Sequence, residues 1–136
     1  MADYYTLFLV DVPLKPEQRQ YAMDLDAHVQ AYRSDDTPLP DDFPPALAEV
    51  IEDWTFETLS HDEGVRLGSQ NGGQEAACAF IQHLLQQFDC APYVTFEWSH
   101  DCSRPRADAY GGGAAYITAT EIETFSSSEW LQKVAA

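Results

Sequence analysis

Basic residues are what this chain has least of. Seven lysines and arginines stand against 23 aspartates and glutamates, a formal net charge of −16 at pH 7 and a pI near 4.2. A field of that sign repels nucleic acid and anionic membrane surfaces, which argues against direct binding to either, and it attracts basic proteins. Cysteine is also scarce. Cys78, Cys90 and Cys102 are odd in number and contain no C-x-x-C unit. This excludes a disulfide framework, fits a reducing compartment and disfavours structural zinc, so no metal site is expected despite His83 and His100. Long apolar runs are missing too. None approaches the roughly 18 residues of a membrane span. The stretch Tyr4 to Val12 is too short for a signal peptide and is broken by Asp11 and closed by Pro13. The expectation is a soluble, cytoplasmic protein.

What is present suffices for a core. A length of 136 residues suits a single domain over 1–136, and 45% hydrophobic with 12% aromatic content argues against disorder. Tyr4 to Val12 is nearly continuous in apolar character and rich in β-formers, as in a central strand. Pro16 suits the first turn of a helix, with Glu17 near its positive end, and Tyr21, Leu25, Val29 and Tyr32 form one apolar stripe. Residues 34–45 hold four prolines and four aspartates and read as an acidic, Pro-rich linker inside the domain. A helix from about Pro45 to Trp54 should follow, burying Leu47, Val50, Ile51 and Trp54 and placing Glu49, Glu52 and Asp53 together on its outer face.

Further on, Thr55–Leu59 and Gly64–Gly68 suggest a hairpin. Asn71, with Gln74 three positions later, suggests an N-cap for a helix whose stripe is Ala77, Phe80, Ile81, Leu84, Leu85 and Phe88. Three strands come next. Tyr93–His100 alternates, with Val94, Phe96 and Trp98 on one face and Thr95, Glu97 and Ser99 on the other. Ala114–Thr118 and Glu121–Phe125 then form a second hairpin. Ser126 and Glu129 open a last short helix whose Trp130, Leu131 and Val134 should dock on the core. The order β-α-α-ββ-α-βββ-α defines an α+β fold: a mostly antiparallel sheet with helices mainly on one face.

The run Trp98-Ser99-His100-Asp101-Cys102-Ser103-Arg104-Pro105-Arg106, followed by Asp108, Tyr110-Gly111-Gly112-Gly113-Ala114 and Ile117-Thr118-Ala119, resembles a carboxy-terminal module of short bacterial and phage proteins with no assigned activity. The resemblance covers the last third to half of the chain. It implies a bacterial or phage source, hence a bacterial cytoplasm, and transfers no catalytic residue.

The chemistry-bearing residues of that run have plainer readings. His100 and Cys102 at a strand end invite a thiol–imidazole pair oriented by Asp101 or Asp108, but no local signature of a thiol enzyme surrounds them. The glycine triplet leads into a strand, whereas phosphate-cradling loops lead into a helix, so close backbone contact is its better explanation. Arg104 and Arg106 either hold an anionic ligand or pin the loop to Asp101, Asp108 or Glu97. No catalytic residue, cofactor or metal ligand is assigned.

Function must therefore be sought in the charge. It is uneven: residues 1–63 carry fifteen acids and three bases, and residues 64–136 eight and four. The expected partner is a basic nucleic-acid-binding protein or complex, met by Asp35, Asp36, Asp41, Asp42, Glu49, Glu52 and Asp53. An anti-CRISPR or anti-restriction inhibitor acting as a DNA mimic fits best. The alternatives are an immunity protein against a basic nuclease toxin, an enzyme using the 98–113 loop, and an acidic housekeeping domain. The oligomeric state is left open by the sequence.

Overall fold

The computed structural model describes residues 4–103 and 110–136. The chain runs through strand β1 (Tyr4–Pro13), helix α1 (Pro16–Asp35) and short helix α2 (Pro45–Ala48), which is followed by a 3-10 turn at Ile51–Asp53. Strands β2 (Glu57–His61) and β3 (Gly64–Ser69), helix α3 (Gln74–Phe88), strands β4 (Val94–Cys102), β5 (Gly112–Ile117) and β6 (Ile122–Ser126), and helix α4 (Ser127–Ala135) complete it. This is the α+β order expected. The six strands form one sheet in the order β2-β3-β1-β4-β5-β6, and every pairing between them is antiparallel.

Alternation explains why one face of that sheet is covered. In β1, Phe8, Val10 and Val12 are buried while Leu9 and Asp11 are exposed; in β4, Val94 and Phe96 are buried while Thr95 and Glu97 are exposed. Helix α1 buries Ala22, Leu25 and Val29 against this apolar face, and α3 buries Ala77, Phe80, Ile81, Leu84 and Leu85. The opposite face is open, with Leu9 and Leu59 each more than half exposed. Between sheet and helices lies an aromatic cluster. Trp54 sits 4.9 Å from both Phe56 and Phe80, and Phe8 sits 5.1 Å from Phe96, ring centre to ring centre. Such pairs add about 0.5–1.5 kcal/mol each beyond the area they bury.

Four local expectations need correction. Helix α1 continues through Asp35, so the linker starts one residue beyond it, at Asp36 in the left-handed region (φ 54°). The helix expected over Pro45–Trp54 is interrupted: α2 stops at Ala48, and Val50 (φ −111°) leaves helical geometry before the 3-10 turn. Leu47, Ile51 and Trp54 are nevertheless buried, because a tighter turn still returns every third residue to the core side. Asn71 is not the N-cap of α3. Gly73 takes that position at φ 87°, and Asn71 instead bridges Thr6 at the end of the sheet. Finally, α4 does not dock: Trp130, Leu131 and Val134 are 51%, 56% and 58% exposed. Its N-cap is as expected, Ser126 accepting from the Glu129 N–H at 3.5 Å.

The glycine triplet is explained by close approach. A Cβ on Gly113 would come within 2.4 Å of the Trp98 indole, and one on Gly112 within 2.2 Å of the Trp98 carbonyl oxygen. Gly111 has φ 117°, which side-chain-bearing residues rarely adopt. Gly112→Val and Gly113→Ala are therefore expected to lower unfolding free energy by roughly 1–3 kcal/mol or more, as overpacking does. Urea titration of each variant measures this, and wild-type midpoints would refute the packing account.

Candidate functional site

The seven acids singled out from sequence lie on the segment that crosses the helical layer. Asp35 ends α1, and Asp36 caps it through its N–H to the Ala31 carbonyl. Asp41 and Asp42 are exposed in the turn before Phe43, whose ring is buried. Glu49 and Glu52 are exposed on either side of half-buried Val50 and buried Ile51. Asp42 is close enough to Tyr21 that, after burial, it is the second influence raising that phenol's pKa. Tyr21 lies fourteen residues before Asp35 in the same helix, so the chain from Asp36 to Asp42 runs back alongside α1. The acids thus follow the exposed segment from the end of α1 to the 3-10 turn, a strip in the chain rather than a single pocket.

Asp53 differs from the other six. It is half-buried, and its Oδ2 accepts the Ala76 N–H at 3.0 Å, satisfying an amide of the α3 N-terminus that has no partner within the helix. A remote carboxylate here does what a side chain at position 73 would do if that residue were not glycine. Asp26 has a comparable inward role, accepting the Trp54 indole N–H at 2.8 Å and the Thr58 hydroxyl at 3.1 Å. Nothing in local sequence marks either role, because both depend on which elements meet in the fold.

The arginines explain why the strip keeps its charge. Arg33 donates to the Trp54 carbonyl, and Arg19 donates to the carbonyls of His61 (2.8 Å) and Asp62. Both guanidiniums sit on backbone oxygens. Among the described residues the one carboxylate in an ion pair is Asp11, on the open face of the sheet. Arg66 grips it with Nε at 2.9 Å and a terminal nitrogen at 3.2 Å, and His61 Nε2 lies 3.2 Å away without hydrogen-bond alignment. The Arg66 hydrogen bond holds the Asp11 carboxyl below its ordinary pKa.

The thiols and imidazoles are tied into packing. His100 Nδ1 pairs with the Thr6 hydroxyl across the β1–β4 ladder at 2.9 Å, while the Asp101 carboxylate accepts the Cys102 N–H at 2.8 Å. Cys102 lies two residues along the same strand, and among the described residues no hydrogen bond joins its sulfur to His100. Burial pushes the Cys78 thiol up to about 12, far from the thiolate a nucleophile needs. The Tyr21 hydroxyl bonds His83 Nε2 at 2.7 Å, linking α1 to α3, and burial lowers the His83 pKa. Among the described residues no three His, Cys, Asp or Glu side chains converge as a metal site, and no helix is long and apolar enough to cross a membrane. Arg104, Arg106 and Asp108 lie outside the described residues.

No protein-family model, curated protein or solved structure matches this chain.

Two predictions follow from these contacts. Asp53→Ala should cost about 1 kcal/mol of stability through the lost cap, whereas Glu52→Ala should stay within about 0.5 kcal/mol. Equal effects in chemical denaturation would contradict the capping role. Acidification should weaken the fold in two stages. His83 resists protonation when folded, so its contribution is complete above the ordinary value of 6.5 and declines as pH falls through 6.5 toward its lower folded pKa. Asp11 behaves likewise from its ordinary value of 3.8 downward. Unfolding free energies measured from pH 8 to 3 test this. His83→Gln should abolish the upper stage, and an unchanged profile would show that another group is responsible.

Proposed function

We propose that this chain is a small acidic inhibitor that binds a basic nucleic-acid-handling protein, serving as a DNA mimic of the anti-CRISPR or anti-restriction kind. The strip of carboxylates that form no ion pair among the described residues supports the reading. Duplex DNA presents one negative charge per about 1.7 Å of axis, and proteins that grip it line lysines and arginines along a groove. Asp35, Asp36, Asp41 and Asp42 supply four exposed charges along one short segment, the kind of anionic run such a groove accepts. Glu49 and Glu52 extend that run. Asp53 adds charge at its border while capping α3.

The support beneath the strip matters as much as its charge. Phe43, Leu47, Ile51 and Trp54 are buried along the acidic segment, so its backbone is held before a partner arrives and association need not order it. The ligand is a protein surface, and the reading requires no cofactor, metal or catalytic side chain. The same strip suits an immunity protein facing a basic nuclease toxin, where electrostatic steering would likewise raise the association rate.

The decisive experiment is functional. The chain is expressed in bacteria carrying a CRISPR or restriction system, and phage plating is counted; in parallel, survival is scored against co-expressed nuclease toxins. Restored plating is expected. It should be lost when Asp35, Asp36, Asp41 and Asp42 are all changed to Lys, with the thermal transition retained. Rescue from a toxin alone would shift the role to immunity. Activity that survives the reversal, or association with the target that is insensitive to salt, would remove the mimic reading altogether.

A further inference from the structure

Besides Leu9 and Leu59 on the open face, five exposed apolar side chains fall on two consecutive elements. Ile122, Phe125, Trp130, Leu131 and Val134 are each 40–58% exposed, and all belong to β6 and α4. They lie in the half of the chain with the lower acid excess. Beside them runs a groove of about 520 Å³ between α3 and β6, lined by Cys78, Ala79, Trp98, Ile122, Thr124 and Phe125 among others. A nine-residue helix has little stability of its own in water and depends on packing of its apolar side, yet α4 buries none of its residues within this chain.

The strand beside this helix is unprotected. Strand β6 ends the sheet, and among the described residues no strand pairs with its outer edge. At the other edge, α1 lies against β2, and Arg19 takes the His61 carbonyl. The hydrogen bond from the Thr118 N–H to the Glu121 carbonyl fixes the alternation of the β5–β6 ladder. Glu121, Glu123 and Phe125 turn their backbone groups toward β5. Ile122, Thr124 and Ser126 turn theirs outward.

We infer that β6 and α4 form a two-fold symmetric interface with a second copy of this chain, the two β6 strands pairing antiparallel about Thr124 to give one continuous sheet. In this register Thr124 meets its own counterpart and Ile122 meets Ser126 of the other copy; because the Ser126 carbonyl already accepts the first bond of α4, about four hydrogen bonds join the two strands. Glu123 stands opposite Phe125 of the other copy, so no like charges face each other directly. Because Ser126 pairs with Ile122, the first turn of α4 begins beside the apolar end of the neighbouring strand and brings Trp130 and Leu131 toward it. The strand is thus complementary to itself in hydrogen bonding and apolar surface, as a two-fold interface requires.

This surface shares no residue with the acidic strip, and its salt response has the opposite sign. Two copies at −16 repel, so salt should strengthen dimerisation, whereas it weakens binding of a basic partner. Sedimentation equilibrium of the full chain at low and high salt is the test. A concentration-dependent dimer favoured by salt is expected. Thr124→Pro removes an outward N–H that has no bond to β5 and should give a monomer with an unchanged circular dichroism spectrum. Should that variant misfold, Trp130→Ser with Leu131→Ser alters only exposed α4 positions and should weaken the dimer at least tenfold. A wild type that stays monomeric at every concentration and salt overturns the proposal, as does a folded Thr124→Pro variant that dimerises like wild type. Neither result touches the acidic-strip reading.

Discussion

Trp54 is the point at which the acidic segment is fastened to the protein. Its ring is fully buried between Phe56 and Phe80, its indole N–H is held by Asp26, and its carbonyl receives Arg33 from the last turn of α1. The residue before it caps α3. One side chain and its neighbour therefore join α1, α3, the 3-10 turn and the start of β2. That junction, together with buried Phe43, Leu47 and Ile51, ties the proline-rich acidic stretch between Asp36 and Phe56 to the core.

The junction also bears on how a chain of this charge stays folded. Mutual repulsion among carboxylates opposes compaction, and the usual remedy is to interleave cations. Here two arginines near the acidic segment bind backbone oxygens instead. Repulsion is opposed by aromatic burial and by backbone satisfaction rather than by neutralisation. Asp35, Asp36, Asp41, Asp42, Glu49 and Glu52 stay exposed while the interior remains that of an ordinary α+β domain.

The fold was legible because its elements are strongly periodic. The alternation of Val94, Phe96 and Trp98 and the stripe from Ala77 to Leu85 survive as strand and helix faces with their predicted burial. Boundaries were legible only where a local rule governs them, as at Pro16 and Ser126. Asn71 was misread because a capping pattern competes with a backbone bridge to Thr6 that only the assembled sheet supplies. The helix through Val50 was misread because spacing of three and four residues suits a 3-10 turn as well as an α-helix. For the candidate site, the location of charge was readable, but the division of labour was not. Asp26 and Asp53 look like any other acids until the elements they serve are brought beside them.

The sheet order sets a timetable for synthesis. Strand β1 is the first to leave the ribosome and one of the two central strands, yet its neighbours are β3, more than fifty residues later, and β4, which ends at Cys102. Such pairings carry a large loop-closure cost and form slowly. A nascent chain must therefore hold an apolar strand unpaired until β3 has been made, an interval in which aggregation is most dangerous. The acidic stretch emerges behind that strand, after the twenty residues of α1. Whatever the carboxylates bind in the finished molecule, like charge on that stretch disfavours contact between nascent chains while β1 waits for its partner.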